Sequence, residues 1–68
     1  MIVTGTVESF DERRGDGVVV SDTGERFYFH CVSIKDGSRR IDEGTRIQGR
    51  RRVGHVGRDE IEELEPLA

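Results

Sequence analysis

The sequence predicts an all-β fold, a single domain built as a five-stranded antiparallel Greek-key barrel, and three observations carry that expectation. Glycine punctuates the chain at positions 5, 15, 17, 24, 37, 44, 49, 54 and 57, a density that helices tolerate badly and strands joined by tight turns use freely. The apolar residues come in short bunches rich in β-branched and aromatic types. Before the C-terminal end no window of roughly 12 residues shows apolar residues at helical spacing.

Two β-rich segments come first, Ile2–Phe10 and Gly17–Ser21. Asp22-Thr23-Gly24 supplies turn chemistry, and Arg26–His30 is the next strand, so the two form a hairpin with a short polar loop. From Cys31 to Thr45 the alternation breaks. Lys35-Asp36-Gly37-Ser38 and Asp42-Glu43-Gly44 read as turns, with room for one helical turn near Val32–Ile34. Arg46–Val53 resumes as a strand, and Gly54-His55-Val56-Gly57 reads as another turn. The last segment, Arg58–Leu64, is ambiguous. Ile61 and Leu64 stand three apart, as on a helix, but a final strand through Glu60–Glu62 spares the sheet an open edge. Five short strands with one long connection between the third and fourth describe a Greek-key barrel, and the oligonucleotide-binding barrel is a common small version of that plan.

Length and composition restrict the function classes. With 68 residues there is room for one small core. The single cysteine, Cys31, rules out an internal disulfide, which favours a reducing compartment. Met1-Ile2-Val3-Thr4-Gly5 has neither a basic leader nor an apolar run, and no stretch matches a membrane helix. A soluble cytoplasmic protein, not associated with a membrane, is expected. The net charge of −3 hides an asymmetry. Residues 59–68 hold Asp59, Glu60, Glu62, Glu63 and Glu65 and no base, whereas residues 1–58 hold eleven bases against nine acids. Ten of those bases are arginine, which stacks on planar groups and bridges phosphates better than lysine does.

The order of residue blocks adds a resemblance. Gly5-Thr6-Val7-Glu8-Ser9-Phe10, Arg14-Gly15-Asp16-Gly17-Val18-Val19, Phe27-Tyr28-Phe29-His30, Ile34 and Glu43-Gly44 occur in an order and at a spacing that resemble the bacterial cold-shock domain. That family reads G-x-V-x-W-F, K-G-F-G-F-I, V-F-V-H-F, A-I and E-G-x-x-V, and the likeness covers nearly the whole chain. The resemblance implies a five-stranded antiparallel barrel that binds single-stranded RNA or DNA in the cytoplasm, through aromatic side chains on the second and third strands. Bases of every identity have π-faces, so exposed rings bind single strands with little sequence choice, at about 1–3 kcal/mol per base. The chain departs from the pattern at its stacking positions. Ser9 stands at the tryptophan, Asp16 and Val18 at the first two platform phenylalanines, Cys31 at the aromatic after the histidine, and the loop aromatic is replaced around Ser38. Glu8 stands where the family has lysine, whereas Phe10, Tyr28 and His30 match.

Several motifs read more simply as structure. Gly15-Asp16-Gly17 lacks the lysine and the strand–loop–helix setting of a phosphate loop. Asp22-Thr23-Gly24 matches the aspartic-protease triplet, but such enzymes need two of them and a long chain. His30, Cys31 and His55 are the only soft ligands, and adjacent strand residues point to opposite faces, so no metal or other cofactor is expected. Phe27 and Phe29 share one parity and Tyr28 and His30 the other, and the resemblance chooses the second pair for the outside. Arg51 shares the parity of Ile47 and Gly49, so it should face inward, at a cost if unpaired. Either a bulge near Gly49 turns it outward, or a salt bridge to the acidic C-terminal segment satisfies it, or the fourth strand docks on another subunit.

The expectation is a non-catalytic module that binds single-stranded RNA or DNA weakly and with low sequence specificity, centred on the hairpin Arg14–His30. Phe10, Tyr28 and His30 would stack on bases beside Val18, and Arg13, Arg14 and Arg26 would neutralise phosphates, with Arg39 and Arg40 in the long loop as helpers. With rings missing, charge should carry more of the binding and steepen its salt dependence. The alternative is a barrel of the same ancestry that binds protein or forms a homodimer. The lost stacking groups, the acidic end and the arginine-rich fourth strand all suit that reading.

Overall fold

The computed structural model describes residues 1–54 and 57–67. Five strands run β1 Ile2–Asp11, β2 Asp16–Ser21, β3 Arg26–His30, β4 Arg46–Val53 and β5 Asp59–Pro66, and the 3-10 turn Cys31–Ser33 follows β3. They close into a barrel in the order β1-β2-β3-β5-β4. Closure removes the sheet edges that a small open sheet would leave unpaired. Four seams are antiparallel as expected, while the seam of β3 with β5, at Tyr28 and Glu60, is parallel. No helix among the described residues is long and apolar enough to cross a membrane. Of the turn expected at Gly54-His55-Val56-Gly57, His55 and Val56 lie outside the described residues, and so does His55 as a ligand candidate.

Period-2 alternation places the core. Val3 and Val7 of β1, Val19 of β2, Phe27 and Phe29 of β3, Ile47 of β4, and Ile61 and Leu64 of β5 are buried, together with Ile34 and Ile41 from the long β3–β4 connection. Ile34 is held by a bridge to Leu64, and the Lys35 amide donates to the Leu64 carbonyl at 2.7 Å. The connection therefore stoppers one end of the barrel with apolar side chains.

Two irregularities set which residues face inward. Between Val7 and Ser9 the β1–β2 register shifts by one, with Glu8 as the extra residue. Ser9 then lies opposite outward Val18, and Phe10 lies opposite inward Gly17. The β4–β5 register shifts between Gln48 and Arg50, where Gln48 pairs with Glu65 and Arg50 with Glu62. The extra residue is on β5, and Glu63 takes a left-handed φ of 51°. That bulge explains why Ile61 and Leu64, three apart, are both buried in one strand. Strict alternation would place one of them outside, and the spacing imitates a helix.

Glycine is required where the wall is thinnest. A Cβ on Gly17 would stand 2.7 Å from the Phe29 ring, and one on Gly49 would collide with Ile61 Cγ2. Of the devices expected for Arg51, the structure shows the salt bridge to the acidic C-terminal segment and not an outward-turning bulge. The bulge does lie beside Gly49, but because its extra residue is on β5, Arg51 keeps the parity of its partner Ile61. The side chain avoids burial by leaving through the open end of the barrel, where Nη2 meets both carboxylate oxygens of Asp59 at 3.1 and 3.2 Å. The acidic end and the arginine run thus face each other along one seam, with Arg50 opposite Glu62 and Arg52 opposite Glu60.

Candidate nucleic-acid interface

Across the outer surface of β1, β2, β3 and β5 the register lays residues out in rows. One row runs Ser9, Val18, Tyr28, Glu60, and the next runs Asp11, Asp16, His30. Beneath them a hollow of about 530 Å³ opens, floored by Phe10, Gly17 and Phe29 and walled by Arg14, Arg58 and Glu60. Tyr28 is 42% exposed, so the structure puts Tyr28 and His30 outside and Phe27 and Phe29 inside.

The remaining sequence candidates divide into two groups. Phe10, Arg14 and Val18 join Tyr28 and His30 at the hollow, whereas Arg13, Arg26 and Arg39 do not line it. Phe10 is half-buried, because the Glu8 bulge turns it toward the core, where its ring stacks on Phe29 with centroids 5.8 Å apart and planes 8° apart. One face of that ring is therefore committed to packing. Arg26 is exposed on β3, and Arg39 lies in the long connection with a left-handed φ of 57°. Cys31 begins the 3-10 turn and sits half-buried with Sγ against Gly15.

The acids Asp16 and Glu8 are bound to this chain's own arginines. Asp16 Oδ1 accepts from Arg14 Nε and Nη2, both at 3.1 Å, and Glu8 takes Arg26 in a two-point pair at 3.1 and 3.2 Å. Glu8 holds the Arg26 guanidinium charged by raising its pKa further. Asp11 accepts the backbone amides of Arg14 and Arg13 at 3.1 and 2.9 Å, which lowers its carboxyl below the ordinary 3.8 and closes the β1–β2 turn. Arg40 reaches back from the long connection to Glu12 at 3.0 Å, so that loop rests on the same turn. Among the described residues Arg13, Arg39, Arg52 and Arg58 make no salt bridge to a carboxylate.

Two groups at the hollow escape sequence reasoning. Arg58, which precedes β5, places its guanidinium 4.3 Å above the centroid of the Tyr28 ring, a cation–π contact. Glu60 stands beside Tyr28 across the parallel seam and makes no salt bridge among the described residues. No local signal could have found either, since the seam joins strands about thirty residues apart in the chain.

At the opposite end of the barrel the Asp22-Thr23-Gly24 triplet is a turn, and Asp22 latches it down. Arg46 Nη1 and Nη2 donate to its two oxygens at 2.6 and 3.0 Å, and the Thr4 hydroxyl donates at 3.0 Å. Those bonds, the Arg46 pair first, lower the Asp22 carboxyl to about 2.

No family model matches the sequence, and no curated protein matches it. The solved structure of Drosophila Unr CSD456, a cold-shock-domain protein, is similar over 100% of this chain and 27% of its own, with a TM-score of 0.79 and 23% sequence identity. This chain spans little more than a quarter of that chain's length. The chain therefore has the fold of a cold-shock domain, a closed five-stranded barrel of the oligonucleotide-binding type.

Proposed function

We propose that the chain is a non-catalytic, cytoplasmic module that binds single-stranded RNA or DNA weakly through the outer face of β2 and β3. The observation that carries this reading is the exposure of Tyr28 and His30 side by side above an open hollow. A flat, partly apolar ring at the rim of a concave surface stacks any base. The fold shared with a cold-shock-domain protein supports it, and so do Arg13 and Arg39, which make no salt bridge among the described residues.

The internal pairing of Arg14 and Arg26 changes the expected salt dependence. A phosphate that takes either arginine leaves Asp16 or Glu8 unpaired beside it, so these two arginines add little net attraction. Among the described residues Arg13, Arg39, Arg52 and Arg58 remain to release counterions, which predicts a log–log salt slope of about three, from roughly 0.7 per phosphate neutralised. Titration of ¹⁵N-labelled protein with a seven-residue uridine or thymidine oligonucleotide tests the reading. Peaks of β2 and β3 should shift, with a Kd of about 10⁻⁴ M. Silence up to millimolar oligonucleotide would sink it.

A second reading is self-association, supported by the exposed Met1, Ile2 and Val53 around the end of the β1–β4 seam. Sedimentation equilibrium separates the two readings. A concentration-dependent dimer together with absent oligonucleotide binding would favour the second.

A further inference from the structure

Resting on the nucleic-acid reading, we infer that the Tyr28–Arg58–Glu60 corner selects guanine among the bases of a single strand. Tyr28 offers the ring on which the base stacks, and Glu60, its partner across the parallel seam, lines the same hollow. Ile61 is buried, so Glu60 projects from β5 on the outer side, as Tyr28 does from β3, and its carboxylate lies over Gly54, from which a rotation about its side-chain bonds brings it to a base on Tyr28. Its carboxylate forms no salt bridge among the described residues, unlike Asp16 and Glu8, which hold arginines.

An ionised carboxylate only accepts hydrogen bonds, and it presents two oxygens side by side. Guanine alone among the four bases offers two adjacent donors on one edge, N1–H and the N2 amino group. Uracil flanks a single N–H with two carbonyls, and cytosine and adenine set their amino group next to an acceptor nitrogen. Those three edges each bring an acceptor lone pair against the carboxylate, whereas the guanine edge matches it at both points.

The protein already carries a stand-in for that edge. The Arg58 guanidinium lies 4.3 Å above the Tyr28 ring, and the N1–C2–N2 portion of guanine has the same planar, donor-bearing skeleton. A face that holds a guanidinium is shaped and polarised for such a group. An arriving guanine takes its place on the ring, and Arg58, exposed just before β5, is released toward the adjoining phosphate. The cation–π interaction given up in that exchange is weak, because both partners are open to solvent.

The test uses the full chain and uridine heptamers whose central position is uridine, adenosine, inosine or guanosine. Fluorescence anisotropy is the readout, at pH 7 and moderate salt. Guanosine should bind about tenfold tighter than uridine, and inosine, which keeps N1–H but lacks the amino group, should fall between them. Glu60→Gln keeps the shape and converts one acceptor to a donor. It should bring the guanosine-to-uridine affinity ratio down to about one, and its melting curve reports that the barrel is intact. Equal affinity for all four oligonucleotides would overturn the inference and leave the binding function standing. A guanosine preference that survives Glu60→Gln would overturn the role of the carboxylate. Binding of none of the four would remove the nucleic-acid reading itself.

Discussion

The hairpin of β2 and β3 has two faces drawn from alternate residues of the same strands, and they obey different constraints. Inward, Val19, Phe27 and Phe29 are almost wholly buried, and Gly17 leaves room for the Phe29 ring. Outward, Asp16, Val18, Tyr28 and His30 line or border an open hollow. Every inward position is fixed by its neighbours, because interiors are packed to near-crystal density. The outward positions carry no such burden, so an acid at Asp16 and a valine at Val18 stand there without disturbing the barrel. Fold and binding chemistry are separable here because a strand alternates its side chains between core and solvent.

That contrast can be broken from the inside first. Phe29→Ala should cost about 3–5 kcal/mol. A domain of this size has roughly 3–10 kcal/mol in total, so urea titration followed by circular dichroism should find the variant largely unfolded without denaturant. Gly17→Ala on the same face should cost about 1–3 kcal/mol by overpacking against Phe29 and the Ser9 carbonyl, with the midpoint of the same titration shifting accordingly. A Gly17→Ala protein as stable as the parent would show that the wall is not as tight as its geometry requires.

The outside should respond the opposite way. Tyr28→Ala should lower oligonucleotide affinity about 5- to 150-fold, the equivalent of one stacking partner removed, and move the urea midpoint little. A variant that binds unchanged would place the working surface elsewhere. Glu63 tests the bulge that turns Ile61 and Leu64 to the same side. A non-glycine residue held at φ 51° is strained, so Glu63→Gly should raise stability by about 0.5 kcal/mol once the greater chain entropy of glycine is subtracted. Removing the 3.5 Å ion pair with Arg50 matters little, since both side chains are more than half exposed.

The smallest effect concerns pH. In the folded chain the Asp22 carboxyl lies near 2, against an ordinary 3.8. A carboxyl depressed by folding stabilises the native state above its unfolded pKa, and that contribution disappears as pH falls from about 4 toward 2. Asp11 and Asp36 are lowered in the same direction by backbone amides, those of Arg14 and Ser38 first. Thermal melts between pH 2 and 6 should therefore show a falling acid limb. Asp22→Asn should flatten that limb only in part, because the other two carboxyls remain.

Much of this molecule is legible along the chain. The strand Arg46–Val53, the hairpin turn at Asp22-Thr23-Gly24 and the parity that separates Phe27 and Phe29 from Tyr28 and His30 all follow from local spacing and turn chemistry. So does the closed five-stranded barrel, once the glycine-marked strands are counted. Three features were not legible. The bulge residues Glu8 and Glu63 carry no sequence mark of their own, yet they turn Phe10 inward and make Ile61 and Leu64 share a side. The choice of partners, Arg14 with Asp16 and Arg26 with Glu8, neutralises charges that a linear reading counts as free.

The third is the hollow itself, which the hairpin Arg14–His30 only half builds. Its other walls are the end of β1 and the β5 pair Arg58 and Glu60. Sequence determined what each strand could bury, because alternation and turn chemistry act between near neighbours. Tertiary structure decided what stands above Tyr28, because only barrel closure brings residues about thirty positions apart together over one ring.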